Sequence, residues 1–474
     1  MVSSTDLYGG TWNLFANTMK DQGIEVRFVD PSDPENFRKA TDQRTRAYYA
    51  ETLPNPKLIA FPIAEVAAIG RPLGIPLIMD NTAAPLLTRP FDHGAAVIVY
   101  SSTKYLGGHG TSIGGLLVDG GVGALALASG QAASAFALQN LAKVGDNVVS
   151  STDLYGGTWN LFANTLKDQG IEVRFVDPSD PENFRRATDA RTRAYYAETL
   201  PNPKLIAFPI EEVAAIGRPL GIPLIVDNTA APLLVRPFDY GAAIIVYSST
   251  KYLGGHGTSI GGLLVDSGNF DWEAHPERQP ALNTPDPSYH GAVWSQAVKP
   301  LGPIAYIIKA RVTLLRDLGS VISPFNAFLT LQGIETLPLR IERHSQNATA
   351  VADFLSKRPE VTQVIHPSKQ TGWARERAVK YLKRGEGGLV GFEIAGGKDA
   401  GRRFIDALKL FYHVANIGDA RSLAIHPATT THSQLSSEDQ LATGVTESYV
   451  RLSIGLEHID DILADLDQAL KASA

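Results

Sequence analysis

Short apolar runs alternate with amphipathic stretches along most of this chain. Runs rich in Val, Ile and Leu at 123–129 (GALALAS), 146–151 (DNVVSS), 171–177 (IEVRFVD), 204–210 (KLIAFPI), 222–228 (IPLIVDN) and 242–249 (AAIIVYSS) are predicted strands. Several are separated by Ala-rich or polar helical stretches, such as QAASAFALQNLAK and EEVAAIGRPL. Continuously apolar strands set between helices predict a mostly parallel sheet covered on both faces. The texture changes near residue 335. SQNATAVADFLSK, RERAVKYLKR, DAGRRFIDALK and HIDDILADLDQALKA read as amphipathic helices, with strands VTQVIHP, GLVGFEIAG and YVRLSIGLE between them. That pattern predicts a smaller α/β domain closed by a terminal helix.

The same pattern occurs twice. Residues 2–121 match residues 149–268 at a constant offset of 147, and only nine pairs differ: Met19/Leu166, Lys39/Arg186, Gln43/Ala190, Ala64/Glu211, Met79/Val226, Thr88/Val235, His93/Tyr240, Val97/Ile244 and Gly120/Ser267. A domain-sized unit present in two copies is not a solenoid, which needs at least about three stacked repeats. The decapeptide SSTKYLGGHG therefore appears at 101–110 and at 248–257, each time with one lysine, Lys104 or Lys251.

Composition narrows the chemistry. The 474 residues carry 43 Lys and Arg against 49 Asp and Glu, a net charge of −6, so no basic patch favours nucleic acid. There are no cysteines, which removes disulfides, thiolate metal sites and cysteine nucleophiles. No apolar run approaches the roughly 18 residues of a membrane span, and the start, MVSSTDLYGG, lacks the features of a secretory signal. These features predict a soluble, cytoplasmic protein with no membrane partner.

In an open parallel sheet, ligands bind beyond the carboxyl ends of the strands. Asp227 ends IPLIVD there, Ser248, Ser249, Thr250 and Lys251 follow AAIIVY, and Ser129-Gly130-Gln131 follows GALALA. A small-residue turn opening a helix, as in SGQAA, aims N–H groups and the helix dipole at an anion such as phosphate. A lysine amine can condense with an aldehyde, and a carboxylate can hold a pyridinium nitrogen. Singly, each feature has an ordinary reading: a solvated lysine, a helix cap, a glycine turn. His256, His426 and His432 lack metal-site spacing and read as polar packing or site-lining groups. Together, the phosphate cup, lysine and aspartate are what pyridoxal 5'-phosphate requires.

The motifs ASGQAA, LYGGT, ETLPNPKL, VDNT, SSTKYLGGHGTSIGG, PDPSYHG, NIGDARSLAIHPATTTH and YVRLSIGLE closely resemble the Cys/Met-metabolism family of pyridoxal-phosphate enzymes, from about residue 120 to the C-terminus. The resemblance implies the aspartate-aminotransferase-like fold (fold type I). It divides the chain into a partial duplicate at 1–121, a cofactor domain at 122–334 and a small domain at 335–474. It implies Lys251 as the cofactor lysine, Asp227 at the pyridine nitrogen, and Gly130, Gln131, Ser248 and Thr250 around the phosphate. Tyr155 would stack on the ring, Asn202 would sit near the ring oxygen, and Arg451, helped by the Ser422 region, would clamp the substrate carboxylate. PDPSYHG and SLAIHPATTTH favour the branch that carries out γ-replacement on O-acetyl-L-homoserine. With sulfide or a small thiol, that reaction gives homocysteine or methionine plus acetate, as part of methionine biosynthesis. A homodimer or homotetramer is also implied.

The family's pattern places an N-terminal arm with a Tyr-x-Arg element ahead of GGVGALALASG, and residues 1–121 contain no such element. The first copy has Tyr8, Asn55, Asp80 and Lys104 in register with the second but no SGQAA before it. Lys104 is therefore expected to be silent, and residues 1–121 to form an incomplete lobe with an exposed sheet edge. The alternatives to γ-replacement are a rearranged scaffold that keeps the fold, and a cystathionine-synthase or γ-lyase reaction.

Overall fold

The computed structural model describes residues 1–474 apart from 22, 86, 102–103, 105–114, 120–122, 431–444 and 474. It forms two compact units, Met1–Val122 and Gly123–Ala474.

The first unit is built on strands β1 (Val2–Ser4), β2 (Arg27–Val29), β3 (Tyr48–Glu51), β4 (Leu77–Asp80), β5 (Val97–Ser101) and β6 (Gly115–Asp119), in the order β2-β1-β3-β4-β5-β6. Only the β5–β6 pair is antiparallel. One face carries a core of Val2, Phe37, Tyr48, Ala50, Val66, Leu77 and Met79. Among the described residues, the opposite face carries a small cluster around Leu7, Phe15 and Tyr49.

The second unit contains a larger sheet of strands β7 (Gly123–Leu127), β8 (Asn147–Ser151), β9 (Glu172–Val176), β10 (Thr192–Glu198), β11 (Leu224–Asp227), β12 (Ile244–Ser248) and β13 (Gly262–Asp266). Their order is β7-β13-β12-β11-β10-β8-β9, so the repeat's strand order recurs and β7 extends it beyond β13. β13 runs antiparallel to both neighbours, and the remaining pairs are parallel. Both faces are covered. Leu125, Phe136, Val148, Ala194, Tyr196, Ile225 and Tyr306 build one core, and Val149, Tyr195, Ala197, Leu224, Val226, Ile341 and Tyr381 build the other.

The C-terminal part carries a second sheet of strands β14 (Val361–Ile365), β15 (Leu389–Ile394), β16 (Tyr412–His413), β17 (Leu423–Ile425) and β18 (Tyr449–Ser453), ordered β14-β15-β18-β17-β16. The helices Leu337–Leu355, Gly397–Ala407 and Ile459–Ser473 pack on it through Val351, Leu355, Phe404, Ile462 and Leu466.

One predicted strand is absent and one observed strand was not predicted. KLIAFPI is not a strand: Leu205 takes a left-handed φ of 53°, and the segment is an irregular loop whose apolar side chains fill the core beside Ile210 and Val213. The strand at that place is β10, TRAYYAE. Its Arg, Thr and Glu break the apolar run, yet every residue is buried. The Arg193 guanidinium is neutralised by Asp146 at 2.7 Å, which makes its burial tolerable.

Candidate active site

At the carboxyl ends of β10, β11 and β12, a cavity of about 230 Å³ opens in the second unit. Its walls come from the start of the helix Gly130–Gln139, the strand ends, the loop at Tyr155, and Ala415, Asn416, Ile417 and Arg451 of the C-terminal part. Such a crevice is where an open α/β sheet binds its ligand.

One end is a cup of backbone. Ser129 caps the ten-residue helix, its Oγ accepting from the Ala132 amide at 3.1 Å. Gly130 and Gln131 line the cavity with amides that have no intrahelical acceptor. No side chain fits at Gly130: a Cβ there would lie 2.5 Å from Ser248 Cβ and 2.9 Å from Ser248 Cα. The Ser248 amide donates to Thr229 Oγ1 at 2.7 Å, and Thr250 Oγ1 accepts from the Gly261 amide at 3.2 Å, which fixes the strand end opposite the helix. A helix start facing hydroxyls and amides is suited to a phosphate.

Lys251 projects into the cavity from the loop after β12, and its Nζ donates to Asn416 Oδ1 at 2.5 Å. Burial first, and the Arg451 charge second, lower its pKa to about 8. The loop is held from beyond: the Ala420 amide donates to Gly255 O at 2.8 Å, and Arg340 donates to Tyr252 O at 2.7 Å. Arg451 comes from β18. Its Nη2 donates to Asn416 O at 3.0 Å, while its buried Nε has no protein partner. Burial lowers the pKa of this guanidinium too.

Asp227 ends β11 with its Oδ1 accepting from the Thr229 amide at 2.9 Å, and burial raises its pKa. Glu198 ends β10 and accepts the Tyr155 amide at 2.6 Å. The Tyr155 ring lies over Gly157, where a Cβ would meet its Cε1 at 2.5 Å and Gln131 Nε2 at 2.9 Å, so glycine leaves room for the ring. Asn202 Oδ1 is buried and unpaired.

Of the residues singled out in the sequence, Gly130, Gln131, Tyr155, Asn202, Asp227, Ser248, Thr250, Lys251 and Arg451 all line this cavity. Ser422 does not. It is buried beneath, its Oγ donating to Glu457 at 2.8 Å and accepting from the Gly455 amide at 2.8 Å. Asn416, six residues earlier in the same motif, occupies the place beside the lysine and arginine. Asn416, Glu198 and Thr229 were present in NIGDARS, ETLPNPKL and VDNT, but nothing in those strings distinguished them from their neighbours. His426 bonds Thr429 Oγ1 and Glu447 O, and His256 bonds Gly254 O, while His432 lies outside the described residues. No cluster of three metal-ligating side chains exists among the described residues.

Comparison with known proteins agrees with this geometry. The sequence matches the family described as Cys/Met metabolism PLP-dependent enzyme over residues 1–123 and again over 117–471. The chain belongs to that family. An O-acetyl-L-homoserine sulfhydrylase of Leptospira meyeri is 53% identical over 361 residues, covering 75% of this chain and 81% of that protein. A homocysteine synthase of Schizosaccharomyces pombe is 46% identical, covering 75% of this chain and 83% of that one. Among solved structures, an O-acetylhomoserine (thiol)-lyase of Campylobacter jejuni superposes with a TM-score of 0.70 at 43% identity, over 73% of this chain and 82% of its own. That structure holds pyridoxyl-lysine phosphate. The fold is thus the fold type I of pyridoxal-phosphate enzymes, with a mostly parallel central sheet.

The cavity fits the family's cofactor. The Gly130 cradle, the Asn202 amide group, the partly neutral Lys251 and the desolvated Asp227 suit a phosphate, a ring oxygen, an aldehyde and a pyridinium nitrogen. In the first copy, Lys104 is exposed, and residues 1–122 contain no counterpart of Gly130, Gln131, Asn416 or Arg451.

Proposed function

We propose that the second unit carries out γ-replacement on O-acetyl-L-homoserine, exchanging acetate for sulfide or a small thiol to give homocysteine or a thioether. The observation that carries this reading is Lys251, half-buried with a pKa of about 8 and bonded to Asn416, in one cavity with Arg451 and the helix start at Gly130. When bound, pyridoxal phosphate supplies an aldehyde that captures the substrate amine and a ring that stores the electrons released at Cα.

The protein's own groups do the rest. Gly130 and Gln131 amides, with Ser248 and Thr250, would hold the phosphate, and Asp227 would hold the ring nitrogen in its protonated form. Arg451 takes the substrate carboxylate through the guanidinium edge left unpaired at Nε. That contact places the Cα proton near Lys251 Nζ. A lysine pKa near 8 leaves a useful neutral fraction at pH 7.5, so Lys251 accepts the proton and later returns it. The exchange would need a Cβ proton removed as acetate leaves Cγ and restored after the sulfur anion adds there, so that O-acetylhomoserine and hydrosulfide or thiolate give homocysteine or a thioether and acetate with no net change in protons. Tyr155 and Leu200 line the cavity beside these groups.

A homo-oligomer acting in the cytoplasm completes the proposal. Phe325, Phe328 and Leu331, exposed along the helix Pro324–Glu335, support self-association, which sedimentation of the purified chain tests. Among the described residues no helix is long and apolar enough to cross a membrane. To test the function, the full chain is loaded with pyridoxal phosphate and given O-acetylhomoserine with and without sulfide. Homocysteine and acetate in equal amounts, abolished in K251A, are expected. Cystathionine formed from added cysteine, or a 2-oxo acid and ammonia formed without any thiol, would move the assignment to the synthase or lyase reaction. Cofactor binding with no turnover on any of these would refute it.

A further inference from the structure

Two carboxylates end neighbouring strands at the cavity. Glu198 and Asp227 are direct partners in the parallel β10–β11 register, and both line the cavity. Register partners on neighbouring parallel strands send their side chains to the same face, and two carboxylates that share a desolvated cavity oppose double ionisation. The donors around the pair are unequal. Asp227 receives the Thr229 amide at 2.9 Å, and the neighbouring Thr229 hydroxyl and Tyr196 phenol favour its charged form. Those donors are themselves oriented, since Ser134 Oγ lies 3.0 Å from the Tyr196 hydroxyl and the Ser248 amide occupies an acceptor site of Thr229 Oγ1. Among the described residues Glu198 receives a single donor, the Tyr155 amide at 2.6 Å.

The first copy repeats the arrangement. Glu51 and Asp80 are partners in the β3–β4 register, and Glu51 accepts the Tyr8 amide at 2.7 Å. Asp80 accepts the Thr82 amide at 2.9 Å and the Tyr49 hydroxyl at 3.5 Å. The asymmetry is thus encoded within the repeat and arises without the Ser134 helix.

We propose that Glu198 is a positioning acid that keeps the one proton the Glu198–Asp227 pair retains, holding the Tyr155 backbone as an uncharged acceptor and leaving the negative charge on Asp227 for a cationic group in the cavity. It rests on the proposed function only for the use made of that charge. The other charged groups around Glu198 are consistent with this assignment. Asp153, in the loop after β8, repels a second anion and is itself paired with Lys204 at 2.6 Å, while Lys251 and Arg451 share the cavity. Burial, then the charge of Asp227, pushes Glu198 well above the ordinary carboxylate range, and burial pushes Glu51 up to about 7.

The test uses the full chain and E198Q, which keeps an acceptor for the Tyr155 amide and cannot ionise. Thermal unfolding is followed from pH 5 to 9, with and without pyridoxal phosphate. A folded state that binds its proton more tightly than the unfolded chain loses stability as pH rises above the ordinary glutamate value of 4.5. The stability gap in favour of E198Q therefore widens with pH, and cofactor affinity changes by less than ~threefold, since a neutral carboxyl and a neutral amide differ little in charge. A hydrogen bond without proton retention would give a gap that does not vary with pH. A constant or narrowing gap overturns the proposal. If E198Q does not fold, infrared spectra of the wild type at pH 8.5 decide, because that pH lies above the value for Glu51. A carboxylic-acid carbonyl band that shifts on ¹³C-glutamate labelling supports the proposal, and its absence overturns it. None of these readouts involves O-acetylhomoserine, so failure of the sulfhydrylase reading is distinguishable from failure here.

Discussion

The two copies of SSTKYLGGHG allow one molecule to serve as its own control. The perturbation is reductive trapping: the full chain is incubated with pyridoxal phosphate, reduced with borohydride, and mapped by peptide mass. The flanks identify the source, since His93 and Val97 precede Lys104 where Tyr240 and Ile244 precede Lys251. A pKa of about 8 leaves roughly a quarter of Lys251 neutral at pH 7.5. An ordinary solvated lysine, with a pKa of about 10.4, is neutral only about one part in a thousand, so the expected advantage is on the order of two hundredfold. A phosphate held at the cup formed by Gly130 and Gln131 would add to that advantage at Lys251. We expect Lys104 to carry less than ~10% of the Lys251 label, and the Lys251 labelling rate to rise through pH 8. The same depression has a stability consequence. It amounts to about 3 kcal/mol of differential burial of the charge, present at and below pH 8 and relieved as pH rises from about 8 toward 10.5. The cofactor-free chain should therefore gain stability across that window. Equal labelling of the two lysines, or label on Lys104 alone, would refute the reasoning.

Two further outcomes follow from packing. G130A forces a Cβ against the Ser248 backbone and side chain, so the helix start and strand end must separate; overpacking of this kind costs ~1–3 kcal/mol, and equilibrium dialysis should show at least a tenfold loss of cofactor affinity, about 1.4 kcal/mol. L205A and L58A make the same substitution in the same local sequence, at residues 1% and 64% exposed. Denaturant titration followed by cofactor fluorescence should show L205A costing ~2–5 kcal/mol, while L58A stays within ~0.5 kcal/mol by circular dichroism.

Much of the site was legible because its chemistry is concentrated at strand ends, where a parallel sheet must put its ligands. Asp227, Lys251 and the SGQAA turn could be placed by position alone, and the family motifs supplied Tyr155, Asn202 and Arg451. Ser422 and Asn416 show the limit. Both are small polar residues in one irregular segment, NIGDARS, with no periodicity to say which side chain turns inward. Packing turned Ser422 down onto Glu457 and Gly455, and brought Asn416 to Lys251 and Arg451. β10 was missed for a related reason: Arg193 and Glu198 look like surface residues until Asp146 and the Tyr155 amide are seen to meet them.

The repeat separates the two levels of information. By itself the sequence determined the local devices, since Glu51 with the Tyr8 amide and Glu198 with the Tyr155 amide form the same bond from the same residues. It also determined the strand order, which recurs in both sheets. Tertiary structure decided what those devices face. Leu87 is 80% exposed and its duplicate Leu234 is 3% exposed, the latter packed in a cluster with Leu337, Ile341 and Tyr381. Lys104 likewise remains exposed, while Lys251 is desolvated between Asn416 and Arg451. Identical residues differ in burial and charge environment because desolvation is set by neighbours distant in the chain, which the local sequence does not contain.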